Sequence, residues 1–205
     1  MFYIQQKDKF FKAIAKATAK LIIAGFFIGL LHEHDLWVAL ILAFYIAIKF
    51  YINLFKTETK NWMLLIGMIL TGAAGVLGEY WGVSNSYWAY HDLSGGREFP
   101  YWLPFAWMLA FHFMYKLESQ LIVTMTSKTL LSKIILTFII AMIFPALGEV
   151  ITIALGVWTY YWPMQFLGVP LYAVICLVVL HMTVNYIMTI ICKKYNIKDA
   201  LFYID

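Results

Sequence analysis

Charged side chains are scarce in this chain. Asp, Glu, Lys and Arg together make up 13% of its 205 residues, whereas 63% are hydrophobic. A soluble domain usually carries about 25% charged residues, and this chain has too few polar groups to cover a folded domain in water. The composition excludes an ordinary soluble domain and predicts a single integral membrane domain over residues 1–205.

Cysteine is also nearly absent. Cys176 and Cys192 lie sixteen residues apart on the last apolar segment, which is ~24 Å along a helix and beyond the reach of a disulfide. The sequence therefore excludes a disulfide framework and a cysteine metal site.

Long apolar runs are abundant instead. A membrane-spanning helix needs ~20 mostly apolar residues, and six segments meet this requirement: residues 13–31, 36–55, 61–83, 99–117, 130–157 and 167–192. The predicted fold class is all-α, a polytopic membrane helical bundle of about six transmembrane helices.

In this six-span arrangement, nearly all basic residues fall on the same side of the membrane. All 14 lysines fall on one side, and Arg97 alone falls on the other. Because cytoplasmic loops are enriched in basic residues, we predict a multi-pass protein of the cell inner (cytoplasmic) membrane with both termini in the cytoplasm. Topology then accounts for the net charge of +4, and no nucleic-acid partner is expected.

Short motifs recur at an offset of seventy residues. The matching pairs are Leu77-Gly78-Glu79 with Leu147-Gly148-Glu149, Trp88-Ala89-Tyr90 with Trp158-Thr159-Tyr160, and Pro100 with Pro170. Because the offset contains two spans, the repeat units, about 61–117 and 131–192, should be parallel and related by an axis along the membrane normal. This relation places Glu79 and Glu149 at similar depth on equivalent helices.

Glu79 and Glu149 are the predicted catalytic residues. They are the carboxylates that lie clearly inside apolar segments, ~6–12 Å below the outer helix ends at 1.5 Å per residue. An ionisable group at such depth usually faces the bundle interior or a wet cavity, where a protonated carboxyl can act as a general acid. The alternative is structural, with each glutamate hydrogen-bonded to a neighbouring helix.

The outer loops are rich in aromatic residues, which is typical of an interfacial belt. Four of them lie in the repeated motif and are also candidate substrate-binding residues: Trp88, Tyr90, Trp158 and Tyr160. Three polar residues in mid-span are further candidates: His112, His181 and Asn185. His181 and Asn185 share a helix face because they lie four residues apart, and interhelical hydrogen bonding is the alternative for them.

No metal site and no cofactor are predicted. The candidate ligands lie in outer loops without a recognised ligand spacing: His32, Glu33, His34, Asp35, His91 and Asp92. Five histidines in the whole chain are too few for the histidine-rich diiron centres of membrane desaturases and hydroxylases.

The repeated motif resembles the membrane-bound carotenoid biosynthesis proteins. This group includes the carotenoid hydratases and, more distantly, the tandem-repeat lycopene cyclases of bacteria and archaea. The resemblance covers about residues 72–112 and 142–187. The matching residues are Glu79, Trp88, Tyr90 and Pro100, with Glu149, Trp158, Tyr160 and Pro170. The chain lacks the Pro-Leu-Glu-Glu step of the cyclases and is shorter than a typical hydratase.

The resemblance implies a hydratase or cyclase, and thus a lyase or isomerase, that protonates a double bond of an isoprenoid and then adds water or closes a ring. A buried glutamic acid would donate the proton, aromatic faces would stabilise the carbocation, and the second carboxylate would remove a proton or activate water. The hydrophobic substrate would enter from the bilayer, and a homo-oligomer stays open.

Two other function classes stay open as well. A parallel repeat with carboxylates at a shared depth also suits a small proton-coupled transporter. A non-catalytic lipid-binding or scaffold subunit would use the aromatic outer loops to contact a partner.

Overall fold

A computed structural model describes residues 4–58, 60–126 and 128–203, and most of them are helical. The α-helices are α1 (Lys7–Leu31), α2 (Asp35–Tyr51), α3 (Trp62–Ser84), α4 (Leu103–Val123), α5 (Leu130–Ala154) and α6 (Leu171–Tyr195). A 3-10 turn, His32–His34, joins α1 to α2, and a π-helical turn, Ile52–Lys56, follows α2.

Within the described residues, four helical segments are long and apolar enough to cross a membrane. They are Lys7–Lys56, Trp62–Ser84, Leu130–Ala154 and Leu171–Tyr195. Large apolar side chains point outward along the first segment, where Trp37, Phe44 and Phe55 are 67%, 69% and 72% exposed. Apolar surface on this scale requires an apolar surrounding, and the chain is therefore a membrane protein. The six spans and their orientation stay predictions.

The helical run Lys7–Lys56 contains a turn that separates α1 from α2. Leu31 (φ −113°, ψ 9°) and His34 (φ −102°, ψ 44°) both leave the α-helical conformation. A straight helix of 50 residues would measure ~75 Å, more than twice the ~30 Å of a bilayer core. The turn divides this run into helices of 25 and 17 residues.

α4 packs against four other helices, α1, α2, α3 and α5. It is not one of the four apolar segments, and it carries His112, Lys116 and Glu118. Because neighbouring helices surround it, its polar side chains need not face lipid. The helix ends six residues after the end of the predicted segment 99–117. The carboxylate of Glu118 lies in this extension, so it was not predicted to lie inside a span.

The aromatic loops that follow α3 and α5 form an antiparallel ribbon. Strand β1 (Trp88–Tyr90) follows α3, and strand β2 (Trp158–Tyr160) follows α5. Ala89 pairs with Thr159 at the centre, so that each tryptophan of the two motifs lies opposite a tyrosine of the other. Strands β3 (Gln165–Phe166) and β4 (Val169–Pro170) form a second short ribbon before α6. The all-α prediction missed these strands, which satisfy backbone hydrogen-bonding groups of the loops.

The ends of α3 and α5 have matching backbone geometry. Ser86 (φ 58°) and Gly156 (φ 80°) are left-handed at corresponding positions. In both loops the next residue donates its N–H to the carbonyl oxygen five residues earlier. Tyr87 donates to Gly82 (2.9 Å), and Val157 donates to Thr152 (3.1 Å). These contacts recur seventy residues apart, as the motifs do, while the symmetry relation of the full repeat units stays a prediction.

Candidate active site beside the outer ribbon

An apolar cavity of about 280 Å³ lies beside the β1–β2 ribbon, lined mainly by α1, α4 and α5. Seven residues of the repeated motifs lie on its wall: Glu79, Trp88, Tyr90, Gly148, Glu149, Trp158 and Tyr160. The structure thus brings both predicted catalytic glutamates and the four predicted aromatic residues to one place. Their functional roles stay predictions.

Glu79 accepts three hydrogen bonds from aromatic side chains. Trp88 Nε1 and Tyr90 Oη donate to Oε2 at 2.9 and 3.0 Å, and Trp107 Nε1 donates to Oε1 at 3.2 Å. An indole N–H donates and never accepts, so both oxygens of Glu79 are held as acceptors. Hydrogen bonds of this kind favour the ionised form of a carboxyl group and oppose the effect of burial, which favours the neutral form.

Glu149 has far fewer partners. Tyr160 Oη donates to its Oε1 at 3.2 Å, and among the described residues the buried Oε2 has no hydrogen-bond partner. Trp158 Nε1, which corresponds to Trp88 Nε1, is likewise buried and unpaired within the described chain. Buried polar atoms without partners are rare and call for a specific explanation, such as a catalytic role or a bound molecule.

The surroundings of the two glutamates differ in side-chain size at two pairs of corresponding positions. A β-carbon at Gly82 would lie 1.8 Å from the Trp88 ring, so Trp88 reaches Glu79 only because residue 82 has no side chain. Seventy residues on, the chain has Thr152. Leu177 corresponds in the same way to Trp107, and it offers no donor to Glu149.

The two ribbon tyrosines remain hydrogen-bond donors. Burial, and next the negative charge of Glu79, hold the pKa of Tyr90 well above its ordinary value. Burial is likewise the largest cause that raises the pKa of Tyr160 well above its ordinary value. Both hydroxyl groups therefore keep their protons near neutral pH.

The aromatic rings of the ribbon pack edge to face. The Trp88 and Tyr160 ring centroids lie 5.5 Å apart, and those of Tyr90 and Trp158 lie 5.6 Å apart. Such pairs stabilise one another beyond the effect of burial alone. The two pairs together form the ribbon side of the cavity wall.

A second cavity of about 200 Å³ lies on the other side of the carboxyl pair, towards α3 and α6. Glu79, Glu149, Trp88 and Tyr160 line both cavities. The carboxyl pair is therefore reachable from two separate spaces.

The remaining predicted residues lie elsewhere. His112, His181 and Asn185 are not among the residues that line either cavity. His181 Nε2 lies 2.7 Å from Glu118 Oε1 and 3.0 Å from Asn185 Nδ2. The His181–Glu118 contact joins α6 to α4, whereas the His181–Asn185 contact lies within α6. The substrate-binding role of these residues stays a prediction.

Glu118 is a buried carboxylate that the sequence analysis missed. It is 0% exposed, and its Oε2 has no hydrogen-bond partner in the described residues. It follows the cavity-lining Met114 by four residues on α4, as His181 follows the cavity-lining Leu177 on α6. The Glu118–His181 pair thus lies about one helical turn, ~6 Å, beyond the cavity floor. The signal for it was the apolar pattern of Leu117 and Leu121, which continues the helix past Glu118.

No protein-family model, curated protein or solved structure matches this chain.

Proposed function

We propose that this protein is an integral membrane enzyme that protonates a double bond near the end of an isoprenoid chain, after which water adds or a ring closes. The observation that carries the proposal is the difference between two carboxyl groups on one apolar cavity. Glu79 is held by three donors and Glu149 by one. Carboxyl pairs whose surroundings favour opposite protonation states are typical of acid–base enzymes. The motif resemblance to carotenoid hydratases and cyclases agrees with this chemistry.

Glu149 is the proton donor in this scheme. Its buried Oε2 has no hydrogen-bond partner among the described residues, and a negative charge on Glu79 would favour the neutral form of Glu149. The proton forms a C–H bond with one alkene carbon, and the π electrons that make this bond leave a cation on the other carbon.

Glu79 and the aromatic wall stabilise this cation. Glu79 supplies a fixed negative charge, and the faces of Trp88 and Trp158 attract positive charge. Water or a second double bond of the same chain then donates an electron pair to the cation. The proton released from the adduct returns to Glu149, so the enzyme ends the cycle as it began.

The cavity suits a chain end better than a whole long polyprenyl chain. Its volume of about 280 Å³ lies just below the ~300–1,000 Å³ that is typical of ligand pockets. It extends along α1 from Lys20 to Ile28, which is ~12 Å of helix. We propose that the reacting end lies in this cavity, that the rest of the chain lies in lipid, and that the second cavity supplies the water of hydration.

Deuterium exchange tests the proposal directly. The purified protein is incubated in heavy water with short acyclic isoprenoids, and deuterium on carbon is measured by mass spectrometry. We expect incorporation into the wild-type substrate or product, and a fall of roughly 10²–10⁴ in the Glu149→Gln variant, the usual magnitude for general acid–base catalysis. Glu118→Gln is the matched control, because it changes a buried carboxyl outside the cavities. Equal incorporation in Glu149→Gln and wild type would remove the proposal.

A small proton-coupled transporter is a second candidate, favoured by the Glu118–His181 pair one turn beyond the cavity floor. Ionisable groups spaced along one path in a membrane bundle are typical of proton transfer. In that case the wild-type protein in liposomes moves protons with a substrate. Glu149→Gln then removes the proton dependence but keeps substrate binding, and no deuterium enters carbon.

A further inference from the structure

We propose that His32, Glu33 and Asp92 bind a divalent transition-metal ion such as Zn²⁺ at the ribbon end of the bundle. His32 and Glu33 lie in the turn between α1 and α2, and Asp92 follows β1. One ligand atom from each residue lies within 4.8 Å of the others. The fold brings together residues that are sixty positions apart, which ligand spacing in the sequence could not reveal.

The ring of His32 is oriented as in a metal ligand. Its Nδ1 lies 2.6 Å from the carbonyl oxygen of Gly29, and because this oxygen only accepts, Nδ1 carries the hydrogen. Metal-binding histidines almost always donate their second N–H to a carbonyl or carboxylate, which fixes the ring and its tautomer. In the neutral ring the Nε2 lone pair is then free for a metal.

The atom facing Nε2 is another acceptor. Asp92 Oδ2 lies 3.1 Å from it, so a neutral His32 would place two lone pairs against each other. A second proton on the ring would remove this conflict and balance one of the two carboxylates. A divalent cation would remove it and balance both, since Glu33 lies within the same group.

The distances and ligand types select the ion. Two ligands of a tetrahedral ion with bonds of ~2.0–2.1 Å are about 3.3 Å apart, close to the observed 3.1 Å between Nε2 and Oδ2. One imidazole with two carboxylates favours Zn²⁺ and its neighbours over Mg²⁺ or Ca²⁺. The His32 side chain is 13% exposed and that of Asp92 is 56% exposed, so the ring is held while an ion has a path from solution.

A bound ion would join the turn after α1 to the segment that follows β1. Tyr90, which donates to Glu79, lies only two residues before Asp92. Metal binding would thus stabilise the ribbon wall of the cavity, whatever reaction or transport occurs there. This inference does not depend on the proposed function.

Titration of the purified, chelator-treated protein with Zn²⁺ against a chromophoric competitor tests the site. We expect one saturable equivalent in the wild type, accompanied by a rise in melting temperature. His32→Ala and Asp92→Asn should each lose both effects. His34→Ala is the matched control, because His34 lies in the same turn but outside the group, and it should bind as the wild type does.

Three results would overturn the inference. The first is no saturable Zn²⁺ binding in the wild type, which would leave an ion pair between a protonated His32 and Asp92. The second is undiminished binding in His32→Ala and Asp92→Asn. The third is equal loss in His34→Ala, which would show that binding does not depend on His32, Glu33 and Asp92 alone. If His32→Ala folds poorly, Zn²⁺ binding by Asp92→Asn provides the test.

Discussion

The Trp88 indole lies directly over Gly82, where a β-carbon would come within 1.8 Å of the ring. This close approach lets Nε1 of Trp88 donate to Glu79 at 2.9 Å. On α5, Thr152 occupies the corresponding position, and Trp158 Nε1 makes no hydrogen bond within the described residues. A single small residue on α3 therefore contributes to the different surroundings of Glu79 and Glu149.

We expect Gly82→Ala to destabilise the protein, because the added methyl group must displace the Trp88 ring. Overpacking of this kind costs roughly 1–3 kcal/mol. Gly78→Ala is the matched control on the same helix, since a β-carbon there meets nothing within 4 Å. Thermal unfolding in detergent should give a lower melting temperature for Gly82→Ala and an unchanged or higher one for Gly78→Ala. Equal melting temperatures would contradict the observed packing.

Two Trp→Phe variants should differ in stability. Trp107→Phe removes the donor to Glu79 Oε1 and leaves a buried acceptor unpaired, which costs about 1–3 kcal/mol. Trp158→Phe removes an N–H that has no partner in the described chain, so a smaller loss is expected. Unfolding curves of the two purified variants, measured side by side, check this order. A larger loss for Trp158→Phe would show that its N–H has a partner in the native membrane.

The Glu118–His181 pair should respond differently to single and double substitution. His181→Leu leaves Glu118, which is 0% exposed, without its 2.7 Å partner. Breaking a buried pair by removing one partner costs about 3–5 kcal/mol, whereas replacing both partners with apolar residues is often neutral or stabilising. The double variant Glu118→Leu/His181→Leu should therefore be more stable than His181→Leu alone. If the double variant lost as much stability as the two single variants lose together, the pair would not be energetically coupled.

Reporter fusions test the predicted orientation. Fusions after Lys60 and after Lys194 should behave as cytoplasmic, and a fusion after Gly95 as external, because the lysines fall on one side in the six-span arrangement. The ribbon, both cavities and the His32 group would then lie towards the outer leaflet. A cytoplasmic result at Gly95 would invert or break this topology.

Much of the architecture follows from local sequence. Apolar runs of about 20 residues predict helices wherever they occur, because burial in lipid requires every backbone group to be paired within its own segment. Helix α3 is described at Trp62–Ser84, within one residue of the predicted 61–83. The repeated motifs also predicted that Glu79 and Glu149 lie at similar depth on equivalent helices, each of which leads into an aromatic loop. Both glutamates line the same cavity.

Tertiary structure decided the chemistry around those glutamates. The sequence presents two equal copies of Gly-Glu and Trp-x-Tyr, yet three donors reach Glu79 and one reaches Glu149. The difference depends on the space at Gly82 and on a donor from α4, neither of which belongs to the repeated motif. The Glu118–His181 contact joins residues 63 positions apart, and the His32–Asp92 contact joins residues 60 positions apart. Composition and periodicity determine which segments enter the membrane, because those properties are local. Hydrogen-bond partners depend on distances of 3 Å between distant parts of the chain, and only helix packing sets those distances.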